Sequence, residues 1–156
     1  MRSILQAEFE IHSTHPYPSC ALSNFACYPF TMDGIQFGGM EGFLQGLKVQ
    51  NKEDQKKLFL LQGIKAYRVG QSHSWNRKTG TLYYDGQMFS RYSEFYTELV
   101  RCAYYQCAIE NEKFREALIA TKGKVLKHSI GYDDITKTIL TEKEFVGFLT
   151  EMRELL

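Results

Sequence analysis

Phe37-Gly38-Gly39-Met40-Glu41-Gly42-Phe43-Leu44-Gln45-Gly46-Leu47-Lys48 is the stretch on which the reading of this chain turns. Just ahead of it, Phe30-Thr31-Met32 and Ile35-Gln36-Phe37 flank Asp33-Gly34, a pair that tolerates positive φ and closes a tight hairpin turn. The hairpin exits through Gly38-Gly39 into a short helix. Along that helix Glu41, Gln45 and Lys48 stand at i, i+4 and i+7 and share one face, with Phe43 and Leu47 as an apolar pair on the other side. Two readings stand for such a stripe: a solvated surface, or an acid, an amide and a base gathered for chemistry.

Working outward, Ile4, Phe9 and Ile11 suggest a short strand before a loop from His12 to Pro18. Asn51 is placed to cap a second helix running to about Gln62, with Leu58, Leu60 and Leu61 inward. A helical turn follows over Ile64 to Val69, ended by Gly70, and then an irregular polar stretch holds the sole tryptophan, Trp75. Thr81-Leu82-Tyr83-Tyr84, Asp85-Gly86 and Gln87-Met88-Phe89 form the clearer of two hairpin signals. Ser93 opens a long helix to about Glu110, with Phe95, Leu99 and Ala103 on one stripe beside Tyr96, Val100 and Cys107. Asn111 is read as the cap of the next helix, to Ala120; a strand-like Val125-Leu126 follows. Thr141-Glu142-Lys143-Glu144 is a capping box for a last helix carrying Phe145, Phe148, Leu149, Met152 and Leu156. The expected fold class is α+β, predominantly helical, with about five helices and two small β-hairpins.

At 156 residues the chain is expected to be one domain, 1–156. Nineteen basic against eighteen acidic side chains leave a formal charge of +1, with the signs interspersed. No basic arm of the kind that neutralises a nucleic-acid backbone is visible, so general nucleic-acid binding is not expected. No stretch reads as a signal peptide or a membrane span, and the expected location is cytoplasmic. The spacings among Cys20, Cys27, Cys102 and Cys107 lack the tight pairs of structural zinc sites, so free buried thiols and no metal are expected. The ten tyrosines in an aromatic content of 14 % are expected to line a cleft or interface, because each hydroxyl wants a partner.

The order Ser23-Asn24-Phe25, Tyr28-Pro29, Asp33-Gly34, then Glu41, Gln45 and Lys48 resembles the opening signature of the NADAR, or YbiA-like, superfamily. A second block, Leu99-Val100-Arg101 through Phe114-Arg115, Leu118 and Ala120-Thr121, is similar to that family's pattern of two successive helices. The resemblance implies a YbiA-like fold and cleavage of N-glycosidic bonds in ADP-ribosyl or ribosyl-phosphate nucleotide compounds, with no cofactor. It also implies a partner that is a small-molecule nucleotide or an ADP-ribosylated substrate.

Breaking such a bond builds positive charge on the anomeric carbon, which a placed carboxylate stabilises. Glu41 is the first candidate. The resemblance further implies a later acid, for which Asp133 and Asp134 are the choices, though the family's following Trp-Gly is absent. An Asx-turn role stands beside catalysis for either. Tyr92 falls where the family usually has Trp, Gly42 where it has His, and Gln71 where it has Arg. Arg91 and Lys48 are the cations expected to meet phosphate, Gln45 to hold Glu41 or touch phosphate, and Asn24, beside Phe25, to bind ribose hydroxyls or cap its own turn. His128, in the turn before the aspartates, completes the substrate-binding set. Three functions compete: an N-glycosidase, a nucleotide or ADP-ribose binding module without turnover, and an interaction protein lacking any hollow around Glu41.

Overall fold

The computed structural model describes residues 6–156. In chain order these form β1 (Glu8–Glu10), α1 (Ser19–Leu22), β2 (Phe30–Met32), β3 (Ile35–Phe37), α2 (Met40–Gly46), α3 (Lys52–Phe59), α4 (Gly63–Gln71), β4 (Thr81–Tyr84), β5 (Gln87–Ser90), α5 (Glu94–Glu110), α6 (Glu112–Ala120), β6 (Val125–Lys127) and α7 (Glu142–Glu154). The fold is α+β and predominantly helical, as the sequence indicates.

Both hairpins form where the Asp-Gly pairs stand. Asp33 and Gly34 have φ of 54° and 75°, and Asp85 and Gly86 of 49° and 83°, the left-handed pair that a two-residue turn demands. Pairing of β1 with β6 is parallel, with Phe9 opposite Leu126, and it lays the N-terminal segment beside the chain that follows residue 127. Ile4 lies outside the described residues.

Helix α2 is the centre of the molecule. Every residue from Met40 to Gly46 is buried, because α3, α4, α5 and β3 all pack on it. The solvated reading of its polar stripe is thereby overturned. Below it Phe37, Phe43, Phe59 and Tyr84 make a cluster of rings at centroid distances of 4.7–6.5 Å. Gly42 faces the connection after α3, where a Cβ would overlap the Leu61 and Phe59 carbonyl oxygens.

Several boundaries differ from expectation for identifiable reasons. Helix α3 stops at Phe59, whose fully buried ring takes the inward position, so Leu60 is left 54 % exposed. Phe95 is also exposed, because the buried stripe of α5 runs through Tyr96, Leu99, Val100, Ala103, Tyr104 and Cys107. Leu156 lies beyond the end of α7 and is exposed. Asn111 precedes α6 but its side chain does not cap it, donating instead to the Pro29 and Cys107 carbonyls. The Thr141–Glu144 capping box forms in full and starts α7, which buries Phe145, Phe148, Leu149 and Met152. All four cysteines are free, but only Cys107 is buried, its thiol pushed up to about 12 by desolvation; Cys27 and Cys102 are exposed. No helix among the described residues is long and apolar enough to cross a membrane.

Candidate active site

A cleft of about 570 Å³ opens between α2, α4 and the loop joining β6 to α7. Ser23, Asn24 and Phe25 from the turn after α1 form one wall, Ile64, Tyr67 and Gln71 of α4 with Trp75 another, and residues 128–141 the third. Glu41 and Gln45 face it from α2, between the walls.

Glu41 is 7 % exposed. Gln45 Nε2 donates to Glu41 Oε1 at 2.9 Å, and Gln45 Oε1 in turn accepts from Lys48 Nζ at 2.6 Å. Lys48 Nζ also donates to the Gly70 carbonyl at 3.2 Å. The i, i+4, i+7 stripe is therefore a connected chain of acid, amide and ammonium. Burial raises the Glu41 pKa above the ordinary carboxylate range, while the Gln45 hydrogen bond and the Lys48 charge pull it back. Burial likewise lowers that of Lys48, opposed by Glu41. A buried carboxyl held in this way is suited to stabilising a developing cation or to relaying a proton.

Asn24 Oδ1 accepts a hydrogen bond from the Tyr104 hydroxyl at 2.8 Å. The Tyr104 phenol is wholly buried and its pKa raised by desolvation, so it acts as a donor. With the oxygen taken, Asn24 is left to offer its NH₂ group to the cleft. Phe25 and Tyr67 meet at 5.7 Å between ring centroids, and Trp75, packed on the core at one edge, extends the aromatic wall. His128 lines the opposite side, where its Nδ1 contacts the Ile11 carbonyl at 3.0 Å and its ring stands edge-on to Phe145 at 5.0 Å. A neutral ring that donates through Nδ1 keeps Nε2 as an acceptor.

Glu41, Gln45, Asn24, Phe25 and His128 are thus brought together, and the other candidates are not. Asp133 and Asp134 are exposed and do not line the cleft. Asp133 accepts the Lys143 backbone N–H at 3.3 Å. Asp134 accepts from both the N–H and the hydroxyl of Thr136, the turn role, and those bonds hold its carboxyl below the usual range. Arg91 is buried, paired with Glu144 through two bonds of 2.9 and 2.5 Å, and stacked 4.1 Å from the Tyr96 ring centroid, so no donor fork reaches a phosphate in the cleft. Tyr92 turns its hydroxyl to the Arg77 carbonyl, away from the cleft. Lys48 does not line the cleft either.

Arg91 nevertheless bears on the site. Its Nε donates to the Thr138 carbonyl at 3.1 Å, and the Tyr96 hydroxyl donates to the Ile139 carbonyl, which together fasten the third wall from beneath. His12, Tyr67, Lys137 and Thr138 also line the cleft, and the sequence carries no signal for them, because they sit on loops or on an exposed helix face without motif spacing. Among the described residues, no group of three or more His, Cys, Asp or Glu is placed to hold a metal ion.

The model of the family described as bacteriophage protein GP30.3 matches residues 16–154. This chain belongs to the GP30.3 family. A relative in Enterobacteria phage T4, described as an uncharacterized 17.1 kDa protein in the Gp30–rIII intergenic region, is 54 % identical over 150 residues, covering 95 % of this chain and 98 % of that protein. The NMR structure of the E. coli protein YbiA superposes on this GP30.3-family chain with a TM-score of 0.65, covering 98 % of this chain and 86 % of YbiA at 17 % sequence identity. The GP30.3-family fold is therefore YbiA-like, the fold that the Ser23 to Lys48 signature implies.

Proposed function

We propose that this GP30.3-family protein is an N-glycosidase that hydrolyses the bond between ribose and a nitrogen base or amine in an ADP-ribosyl or ribosyl-phosphate compound. The observation that carries the proposal is the Glu41 carboxyl, buried at the cleft and held by Gln45. As the C1′–N bond breaks, its electron pair leaves with the nitrogen and positive charge grows on C1′, and an adjacent carboxylate stabilises it in a desolvated site. Water then adds its oxygen to C1′, and the proton it releases is accounted for by the departing nitrogen, with Glu41 as the group that relays it. Phe25, Tyr67 and Trp75 supply faces for a base, and Asn24 a donor for a sugar or phosphate oxygen.

Among the described residues, Glu41 is the one carboxylate of the cleft lining, so the reaction is written with a single acid and leaves Asp133 and Asp134 to their turns. That same observation favours a second reading, a module that binds the nucleotide without turnover. The interaction-protein reading required no hollow around Glu41 and is set aside.

Incubation with NAD, ADP-ribose conjugates, ADP-ribosylated guanine in DNA and ribosylamine phosphates, followed by chromatography for free base or amine, separates the two. Release from at least one compound by wild type but not by Glu41→Gln is the expected result. Tight binding with no product from any of them favours the module.

A further inference from the structure

Lys48 is the base of the polar stripe, and a solvent-facing ammonium there would suit a phosphate. Its surroundings assign it other work. Nζ is directed at Gln45 Oε1 and the Gly70 carbonyl, and the side chain takes no part in the cleft lining. An ammonium has hydrogens to give and no acceptor, so Gln45 must meet it oxygen first. That leaves the Gln45 NH₂ for Glu41. Without Lys48 the amide is free to turn over, which would set its oxygen against the carboxylate as two opposed acceptors.

Gly70 completes the arrangement. A Cβ at that position would overlap the Gln45 side-chain amide, so only glycine lets α4 bring its carbonyl to Nζ with Gln45 lying against the helix. The elements packed on α2 add little charge. Inward-facing residues of α3, α4 and β3 are uncharged, α5 brings the neutral Tyr104 phenol, and Arg77 acts on Lys48 from beyond α4.

We propose that Lys48 is a positioning residue that acts on the reaction through Gln45, orienting that amide toward Glu41, and that it does not bind substrate phosphate. The catalytic consequence rests on the N-glycosidase reading; the effect on Glu41 does not.

The test is a ¹³C NMR titration of the Glu41 carboxyl, assigned by its loss in Glu41→Gln, in wild type, Lys48→Met and Lys48→Arg, with folding checked by circular dichroism. The Glu41 midpoint is expected to move to higher pH in Lys48→Met, since a removed cation no longer favours the carboxylate, and to return toward wild type in Lys48→Arg. In turnover, the acid limb of kcat/KM moves the same way and kcat falls by about tenfold or more, with KM changing alike for substrates with and without phosphate. Should Lys48→Met not fold, Gln45→Leu cuts the same chain at its middle and is expected to move the Glu41 midpoint in the same direction. An unmoved midpoint in the folded variant, or a KM increase confined to phosphate-bearing substrates, overturns the proposal. If no compound is turned over, the N-glycosidase reading fails and the carboxyl titration still decides the role of Lys48.

Discussion

Tyr104, wholly inside the core, donates its hydroxyl hydrogen to Asn24 Oδ1 at 2.8 Å across 80 residues of sequence. The long helix thereby dictates which end of the Asn24 amide faces the cleft. Asn24→Asp keeps the oxygen that Tyr104 meets and replaces the exposed NH₂ by an acceptor. Its affinity for ADP-ribose, measured by calorimetry, is expected to fall about tenfold or more, with stability changed by no more than about 1 kcal/mol. Undiminished affinity would show that Asn24 gives no hydrogen bond to the ligand.

Arg91 holds the third wall of the cleft through Thr138 and, through Glu144, the start of α7. Its side chain is 1 % exposed and that of Glu144 23 %, so removing the cation strands a largely buried carboxylate. Arg91→Met is expected to cost about 3 kcal/mol, seen as a melting temperature lower by roughly 6–12 °C. Replacing Arg101, whose partners Glu98 and Glu151 are exposed, is expected to change stability by less than about 1 kcal/mol.

Glu41 is held at a cost to the fold. Its folded pKa lies above the unfolded value, because burial disfavours the charge, so the native state binds more protons than the unfolded chain between the two values. The stability it contributes is present in full below the unfolded pKa and is lost as pH rises through the folded one. Glu41→Gln removes that loss. Calorimetric melting should find this variant more stable than wild type at neutral pH and level with it below about pH 4. A variant less stable at neutral pH would mean that the carboxylate is a net asset to the fold.

Trp75 is the chain's one tryptophan and it lines the cleft, with the Arg77 guanidinium 5.7 Å from its ring centroid. Its fluorescence therefore reports directly on occupancy. Titration with NAD or ADP-ribose is expected to change the emission saturably, and Trp75→Phe to remove the signal. Unchanged emission at ligand concentrations that calorimetry shows to be saturating would place the ligand away from the aromatic wall.

What could be read from sequence is what local chemistry fixes. The two Asp-Gly turns demand positive φ, Asn51 and Ser93 cap α3 and α5 through the N–H groups of Asp54 and Tyr96, and Thr141 with Glu144 forms a reciprocal cap. The acid and amide of α2 were likewise placed on one face by spacing alone. Tertiary packing decided the rest. That every residue of α2 is buried depends on α4 and α5 packing on it from further along the chain as well as on its neighbours β3 and α3, and the parallel pairing of β1 with β6 joins segments more than a hundred residues apart. Arg91 illustrates the limit: a guanidinium looks the same in sequence whether it waits for phosphate or pairs with Glu144, a residue 53 positions away. Asp133 and Asp134 carry the types a catalytic pair would need, and only the path of the 128–141 loop turns them away from the cleft.

Base release by wild type and Glu41→Gln, compared side by side on one substrate of the panel with the fold of both verified, bears on the whole account. Release by wild type, slowed at least about a hundredfold in the variant with binding retained, is the outcome expected of a buried carboxylate that stabilises charge on the ribose. Equal release by both proteins, or none by either from any compound they bind, would contradict it.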